Sequence, residues 1–460
     1  MNPRIFREYD IRGVADRDLD DALVADLGRA LAAQVVEQAA GRRPVVAVGR
    51  DCRLTSPRLF AALTAGLIER TDVLDLGMVP TPLLYFAAAT LAVDGAVVIT
   101  GSHNPPEDNG FKLMVGSTTL YGDRIAGLRR WIEAARRERP TMVGRAPGTI
   151  TPHDVLPAYL DHNVASLRLG SRRPRVVVDA GNGAGGPTAL ALYQRLGFDV
   201  IAVHCEPDGR FPNHHPDPTM PENLVDLQGA VQAYDAELGL ALDGDADRLG
   251  AIDGSGRVLW GDQLMILLGK AVLEEVPGAR FVGEVKCSQA MYDELTRAGG
   301  HPEMWKVGHS LIKARMKETG AALAGEMSGH LFFAHRWLGF DDAIHAGARL
   351  LELLSRGEPT LAQLADQLPV MVNTPELRVD CPDDRKFEVV ARVTAALRAR
   401  PDVVELVEVD GVRARFAHGW GLVRASNTQP ALVVRFEADD PAALAAIRAI
   451  VETEIAQASA

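Results

Sequence analysis

The sequence predicts an α/β fold of three similar domains followed by a smaller α+β one, on three observations. Short apolar runs bounded by turn residues alternate with helix-period segments. That alternation restarts twice, past the proline- and arginine-bearing stretch 136–152 and past Gly254. The texture changes after about Pro369, where strands dominate between two flanking helices. A chain of 460 residues also exceeds what one core fills. Four domains are therefore expected, over residues 1–150, 151–255, 256–369 and 370–460.

In the first, Leu19, Leu23, Leu27, Leu31 and Val35 recur every four residues, as one stripe of an amphipathic helix. A strand at 44–49, a helix at 56–70, a strand at 73–76 and a helix at 82–91 follow, then a buried strand at 95–99. The second domain restarts with a strand at 175–179, a helix at 187–196 and a strand at 200–203. The third has a helix at 260–274, a strand at 281–283 and a helix at 288–298. The fourth has a helix at 384–398, strands at 403–409 and 431–436, and a last helix at 441–455.

Forty-seven per cent hydrophobic and 24 per cent charged residues describe a soluble globular protein. The N-terminal MNPRIFREYD lacks the apolar region of a signal peptide, and no apolar run reaches bilayer-spanning length. Cys52, Cys205, Cys287 and Cys381 are widely spaced, with no C-x-x-C pair; reduced structural thiols and a cytoplasmic location are expected. The net charge of −12 argues against nucleic acid as a partner, but a cleft can still focus positive charge on an anionic small substrate.

Four stretches carry chemistry. In ITGSHNPPEDNGFKL (99–113), Ser102 stands just past a buried strand, where open α/β sheets bind ligands. It fails the G-x-S-x-G pattern because position 100 is Thr. His103, its direct neighbour, is expected to be badly placed as its base, which argues against a serine acyl hydrolase. In LALDGDADRLGAID (240–253), Asp243, Asp245 and Asp247 alternate at a strand end, beside Arg248. Three carboxylates this close repel unless a cation neutralises them. An EF-hand is excluded, since its Gly and Glu positions hold Arg248 and Gly254. All-oxygen ligands point to magnesium.

In GEMSGH (325–330), Glu326 and Ser328 are spaced to share one pair of sugar hydroxyls, though a strand-end turn explains them equally. Arg424, Ser426, Asn427 and Thr428, in RASNTQPALVVRFEA, offer donors to a phosphate, or form an ordinary polar loop. DAGNGAGG (179–186) matches neither dinucleotide nor Walker patterns and reads as a tight strand-to-helix turn. PNHHPDP (212–218) invites a metal reading through His214, His215 and Asp217, but its three prolines favour a structured loop.

Together with FREYDIRG (6–13), these stretches resemble the α-D-phosphohexomutase superfamily, in this order and over nearly the whole chain. The bacterial phosphomannomutase/phosphoglucomutase branch looks most similar, because GEMSGH stands where phosphoglucosamine mutases, the alternative, are expected to carry GEQSGH. The resemblance implies three alike α/β domains with mixed sheets and a smaller fourth, around a central active-site cleft. It implies Ser102 as a phosphoserine, and Asp243, Asp245 and Asp247 holding Mg2+ together with a phosphoserine oxygen. Glu326 and Ser328 would contact sugar hydroxyls, and Arg424, Ser426, Asn427 and Thr428 would grip the non-reacting phosphate. Tyr9, Arg12, Lys112, Arg248, Lys286, His309 and His330 would line the cleft. Arg248 and Lys112 would offset charge on the moving group. His330 and Lys112 are the candidates for moving protons, with Arg12 as helper. The implied partners are hexose phosphates, with hexose 1,6-bisphosphate as intermediate and activator, for a monomer or dimer.

Overall fold

The computed structural model describes residues 1–39, 41–138, 146–426 and 429–459. They form two compact units, Met1–Leu264 with Ser328–Ala365, and Met265–Met327 with Asp366–Ala460.

The first unit contains two mixed sheets. In one, the strands follow the order Ile11–Val14, Asp108–Val115, Gly95–Ile99, Val45–Arg50, Asp72–Met78 and Ile150–Pro152, with Thr118–Thr119 paired to Asp108–Val115. Val45–Arg50 runs parallel to both its neighbours, whereas Asp108–Val115 runs antiparallel to both of its own. Ile150–Pro152 pairs in parallel with Asp72–Met78, so the sheet reaches into the stretch that looked like a boundary in sequence. Every residue of Gly95–Ile99 is buried, which requires cover on both faces. Alternate residues Val97 and Ile99 join one core with the helices Asp21–Gln38, Ser56–Leu67 and Asp123–Glu138. The predicted stripe belongs to that core: Leu19, Leu23, Leu27, Leu31 and Val35 are all buried. Asp20 caps Asp21–Gln38 by accepting a hydrogen bond from Leu23 N at 2.8 Å. This helix meets Ser56–Leu67 through a pair of glycines. A Cβ on Gly66 would lie 2.0 Å from Ala25 O, and one on Gly28 would lie 2.3 Å from Leu63 O.

The second sheet orders Val258–Leu259, Leu249–Asp253, Leu238–Leu242, Val176–Asp179 and Val200–Val203. Its last three strands are parallel and the first two turn back antiparallel. Both sheets owe their mixed character to one device. A central strand ends, a short loop carries polar residues, and the chain returns antiparallel beside it. Residues 100–107 make that loop in the first sheet and residues 243–248 in the second. DAGNGAGG forms the expected strand-to-helix turn, with Gly181 and Asn182 at positive φ before helix Gly186–Arg195.

In the second unit, Arg280–Glu284 lies between His301–Trp305 and Leu323–Gly325, all parallel. An antiparallel sheet follows, ordered Val372–Asn373, Ala431–Ala438, Gly419–Ala425, Val412–Phe416 and Glu405–Val407, with Leu377–Asp380 also on Ala431–Ala438. Helices Lys386–Arg398 and Pro441–Ser459 pack together and supply its apolar core. The predicted helices and strands of this segment are present; Leu377–Asp380, Val412–Phe416 and Gly419–Ala425 were not anticipated. All four cysteines are free thiols, and no helix among the described residues is long and apolar enough to cross a membrane.

Candidate active site

Ser102 is buried at the tip of the 100–107 loop in left-handed backbone, with φ of 48°. Its Oγ donates to Asp243 Oδ2 at 2.7 Å, which joins the serine loop to the acidic loop of the neighbouring sheet. His103 Nδ1 lies 3.0 Å from the same Oγ. Against the expectation that His103 is badly placed as the base of Ser102, the left-handed backbone at Ser102 brings the ring within hydrogen-bond reach of the hydroxyl. Burial, and then Arg248 and Arg12, hold the His103 pKa well below the usual histidine range, so the ring is neutral.

A residue that sequence reasoning passed over anchors this loop. The Arg53 guanidinium is 1 % exposed and donates to four loop carbonyls, those of Ser102 at 2.7 Å, Asn104 at 2.6 Å, Pro105 at 2.5 Å and Asp108 at 2.8 Å. Asp51 completes the frame by accepting from Gly101 N and from Ser56 Oγ. Nothing in DCRLTS signals this, because every carbonyl involved lies about fifty residues downstream.

Asp243, Asp245 and Asp247 are fully buried, with one carboxylate oxygen of each within 4.8 Å of the others. Asp243 Oδ1 accepts the backbone N–H groups of Asp247 and Arg248, which fixes the turn. Lys112, from Asp108–Val115, places Nζ 2.7 Å from Asp245 Oδ2 and also on Asp247 Oδ2. Thr81 Oγ1 donates to Asp245 Oδ2 at 2.5 Å. Burial, then Asp247 and Asp245, push Asp243 well above the ordinary carboxyl range. For Asp247, burial acts in the same sense, but Lys112, His330 and Arg248 outweigh it and hold the group well below that range. Burial opposes the charge on Lys112, yet Asp245 and Asp247 raise its pKa above the normal lysine value.

The donor set fits a hard divalent cation. Three carboxylates and a hydroxyl oxygen converge, and Asp245 Oδ1 is buried with no hydrogen-bond partner among the described residues.

Around this pair of loops stand the other predicted residues of the unit. Arg12 bonds Asp10 at 2.6 Å, Gly101 O at 3.2 Å and Asn104 Oδ1 at 2.9 Å, so it braces the serine loop. His330 Nε2 lies 3.2 Å from Asp247 Oδ1 and 3.4 Å from Arg248 Nε; its Nδ1 lies 3.3 Å from Ser328 Oγ. Tyr9 is half-buried in the bend before Ile11–Val14.

The second unit gathers its own set. Lys286 Nζ lies 3.1 Å from Glu376 Oε2 and 3.6 Å from Glu284 Oε1. Glu326 accepts from Gly308 N at 2.7 Å, just before His309 opens helix His309–Thr319. Burial pushes Glu284 up to about 7, with Lys286 opposing and Glu326 adding. Arg424, next to last in Gly419–Ala425, pairs with Asp410 at 3.1 Å; Asp410 in turn accepts from Val307 N. Buried Lys386 donates to Ser426 O at 2.6 Å and to Gln429 O at 3.2 Å. Asn427 and Thr428 lie outside the described residues. Glu284, Glu376, Asp410 and Lys386 were not anticipated.

The comparisons with known proteins agree along the chain. Models of phosphoglucomutase/phosphomannomutase α/β/α domains I, II and III match residues 3–135, 157–256 and 260–371, and that of the C-terminal domain matches 376–454. The chain belongs to the phosphoglucomutase/phosphomannomutase family. A phosphomannomutase/phosphoglucomutase of Pseudomonas putida is 44 % identical over 454 residues, 98 % of this chain and 95 % of the relative. A phosphoglucomutase of Neisseria gonorrhoeae is 45 % identical over 446 residues, 96 % of this chain and 95 % of the relative. The crystal structure of a Burkholderia thailandensis member of the family superposes with a TM-score of 0.92 at 42 % identity, covering 100 % of this chain and 98 % of the other.

Proposed function

We propose that this enzyme interconverts hexose 1-phosphates and hexose 6-phosphates, of mannose, glucose or both, through a phosphorylated Ser102 and a hexose 1,6-bisphosphate. The observation that carries this reading is the 2.7 Å bond between a buried serine hydroxyl and an aspartate triad suited to a cation. Names of the family relatives supply the substrate class.

Phospho-Ser102 gives its phosphoryl group to the free O1 or O6 of the bound sugar. The resulting bisphosphate turns round, and Ser102 takes back the other phosphate. Phosphoryl transfer asks for positioning and charge neutralisation. Asp243, Asp245, Asp247 and an oxygen on Ser102 would hold Mg2+, which supplies charge stabilisation on the transferring group. The loop frame of Arg53, Asp51 and Arg12 keeps Oγ in line. When Ser102 is rephosphorylated, its proton leaves towards Asp243 Oδ2, the acceptor already bonded to it. Lys112 is held as a cation by two carboxylates, so it balances charge, while His330 is the better candidate for proton transfer with the sugar hydroxyl. In the second unit, Lys286, His309 and Glu326 would meet the sugar, and Arg424 and Ser426, with Asn427 and Thr428, would hold the phosphate that is not reacting.

The test is a coupled assay with mannose 1-phosphate and glucose 1-phosphate, with and without bisphosphate activator, beside Ser102→Ala. Wild type should turn over at least one of the two, and mass analysis should find one phosphoryl group on Ser102. Full activity in Ser102→Ala would refute the reading.

A further inference from the structure

We infer that Asp179, His204 and His214 form a second metal site, suited to a divalent transition metal of the zinc class and built from none of the triad's residues. One ligand atom of each lies within 4.8 Å of the other two. Asp179 ends strand Val176–Asp179, His204 directly follows the adjacent parallel strand Val200–Val203, and His214 comes from the proline-rich loop beyond it.

Each of the three also holds a partner outside the group. Asp179 Oδ1 accepts from Gly181 N at 2.8 Å. His214 Nδ1 lies 2.9 Å from the His215 carbonyl, and His204 Nε2 lies 2.9 Å from Asp226 Oδ2. A carbonyl oxygen only accepts, so His214 Nδ1 carries a hydrogen, and Nε2 faces Asp179 Oδ2 at 3.0 Å. A ring lone pair and a carboxylate oxygen stay this close only with a positive centre between them, a proton or a metal. Imidazoles held by one nitrogen on a carbonyl, as in His214, or on a carboxylate, as in His204, match the outer shell that orients histidine ligands. Two imidazoles and one carboxylate favour zinc, cobalt or nickel over magnesium, with an open position for water. Asp179 is buried while both histidines are half-buried, which leaves an ion a route in. Binding forms two metal–nitrogen bonds and one metal–oxygen bond and releases the His214 Nε2 proton to solvent.

The experiment uses the full chain, stripped with chelator and held in excess Mg2+ so that the aspartate triad stays supplied. It is equilibrated with Zn2+ and dialysed, and bound zinc is counted beside His204→Gln, His214→Asn and Asp226→Asn. Wild type should retain one more zinc per chain than either histidine variant. Asp226→Asn, altered at an exposed carboxylate, should bind zinc about 10–100-fold more weakly. Co2+ in place of zinc should give the visible absorption of a histidine-ligated ion. Equal zinc content in all four proteins would overturn the site. Should a histidine variant fail to fold, Asp226→Asn and the wild-type cobalt spectrum decide: undiminished zinc affinity in the first, or no histidine-type absorption in the second, overturns it as well.

Discussion

Arg53 shows how much of a candidate site can rest on a side chain closed off from solvent. Its guanidinium satisfies four carbonyls of the loop that presents Ser102, so its removal leaves those acceptors buried and lets the loop drift. A displacement on the order of 1 Å at a reacting atom costs about 100-fold. Arg53→Lys, which keeps the charge but only one point of donation, should lower kcat by that order with KM little changed, as steady-state kinetics would read. A loss of kcat matched by the fraction of unfolded protein, read by circular dichroism on the same sample, would argue for general unfolding instead. The residue was illegible in sequence for a physical reason: an arginine in a polar turn looks solvated until its partners arrive from residues 102–108. The same holds for Asn109, which finds Thr55 and Ser56 only in the folded chain, whereas Lys112 was named through the resemblance and the fold sets it on the acidic loop. By contrast Ser102 and the triad stood out, since a hydroxyl or three carboxylates directly after an all-apolar strand need a reason to be there.

At the scale of elements, two contacts give measurable consequences. The helices Asp21–Gln38 and Ser56–Leu67 approach through Gly28 and Gly66, and the backbone oxygen opposite Gly66 cannot yield as a flexible side chain would. Gly66→Ala should therefore destabilise the fold by about 1–3 kcal/mol, seen as a lower Tm, despite alanine's better helix propensity. The helix Ala343–Arg356 is capped by Asp342, which accepts from His345 N at 2.8 Å and from the Tyr159 hydroxyl at 3.0 Å. Burial pushes Asp342 from 3.8 up to about 7. The folded state thus binds this proton more tightly than the unfolded one, so its contribution to stability is full below pH 4 and falls as pH rises towards 7. Asp342→Asn keeps both accepted bonds and removes the titration. Urea midpoints at pH 5 and pH 8 should differ less in the variant than in wild type; an unchanged difference would assign the slope to other groups. Sequence periodicity found the leucine stripe of Asp21–Gln38 but passed over Ala343–Arg356, whose residues 343–352 are all buried and include His345, Arg349 and Glu352.

For the molecule as a whole, the two compact units hold separate shares of the proposed chemistry. In the proposed reading, Ser102 and the triad, which would transfer the phosphoryl group, lie in one unit, and Lys286, Glu326 and Arg424, which would recognise the sugar and its second phosphate, lie in the other. The overall charge of −12 coexists with cations gathered in both, Arg12, Lys112 and Arg248 in one and Lys286 and Arg424 in the other. The ammonium that bridges Asp245 and Asp247 has a further consequence for the life of the protein. In the proposed mechanism it would stand in for magnesium, so that losing the metal would silence the enzyme without endangering its architecture. Chelated protein should have no mutase activity, melt within a few degrees of the loaded form, and recover on addition of Mg2+ alone. Replacing this stand-in, as in Lys112→Met, should tie the fold itself to the metal: that variant should melt far lower in EDTA than in Mg2+. An enzyme built in this way would idle through magnesium scarcity and restart without being made again.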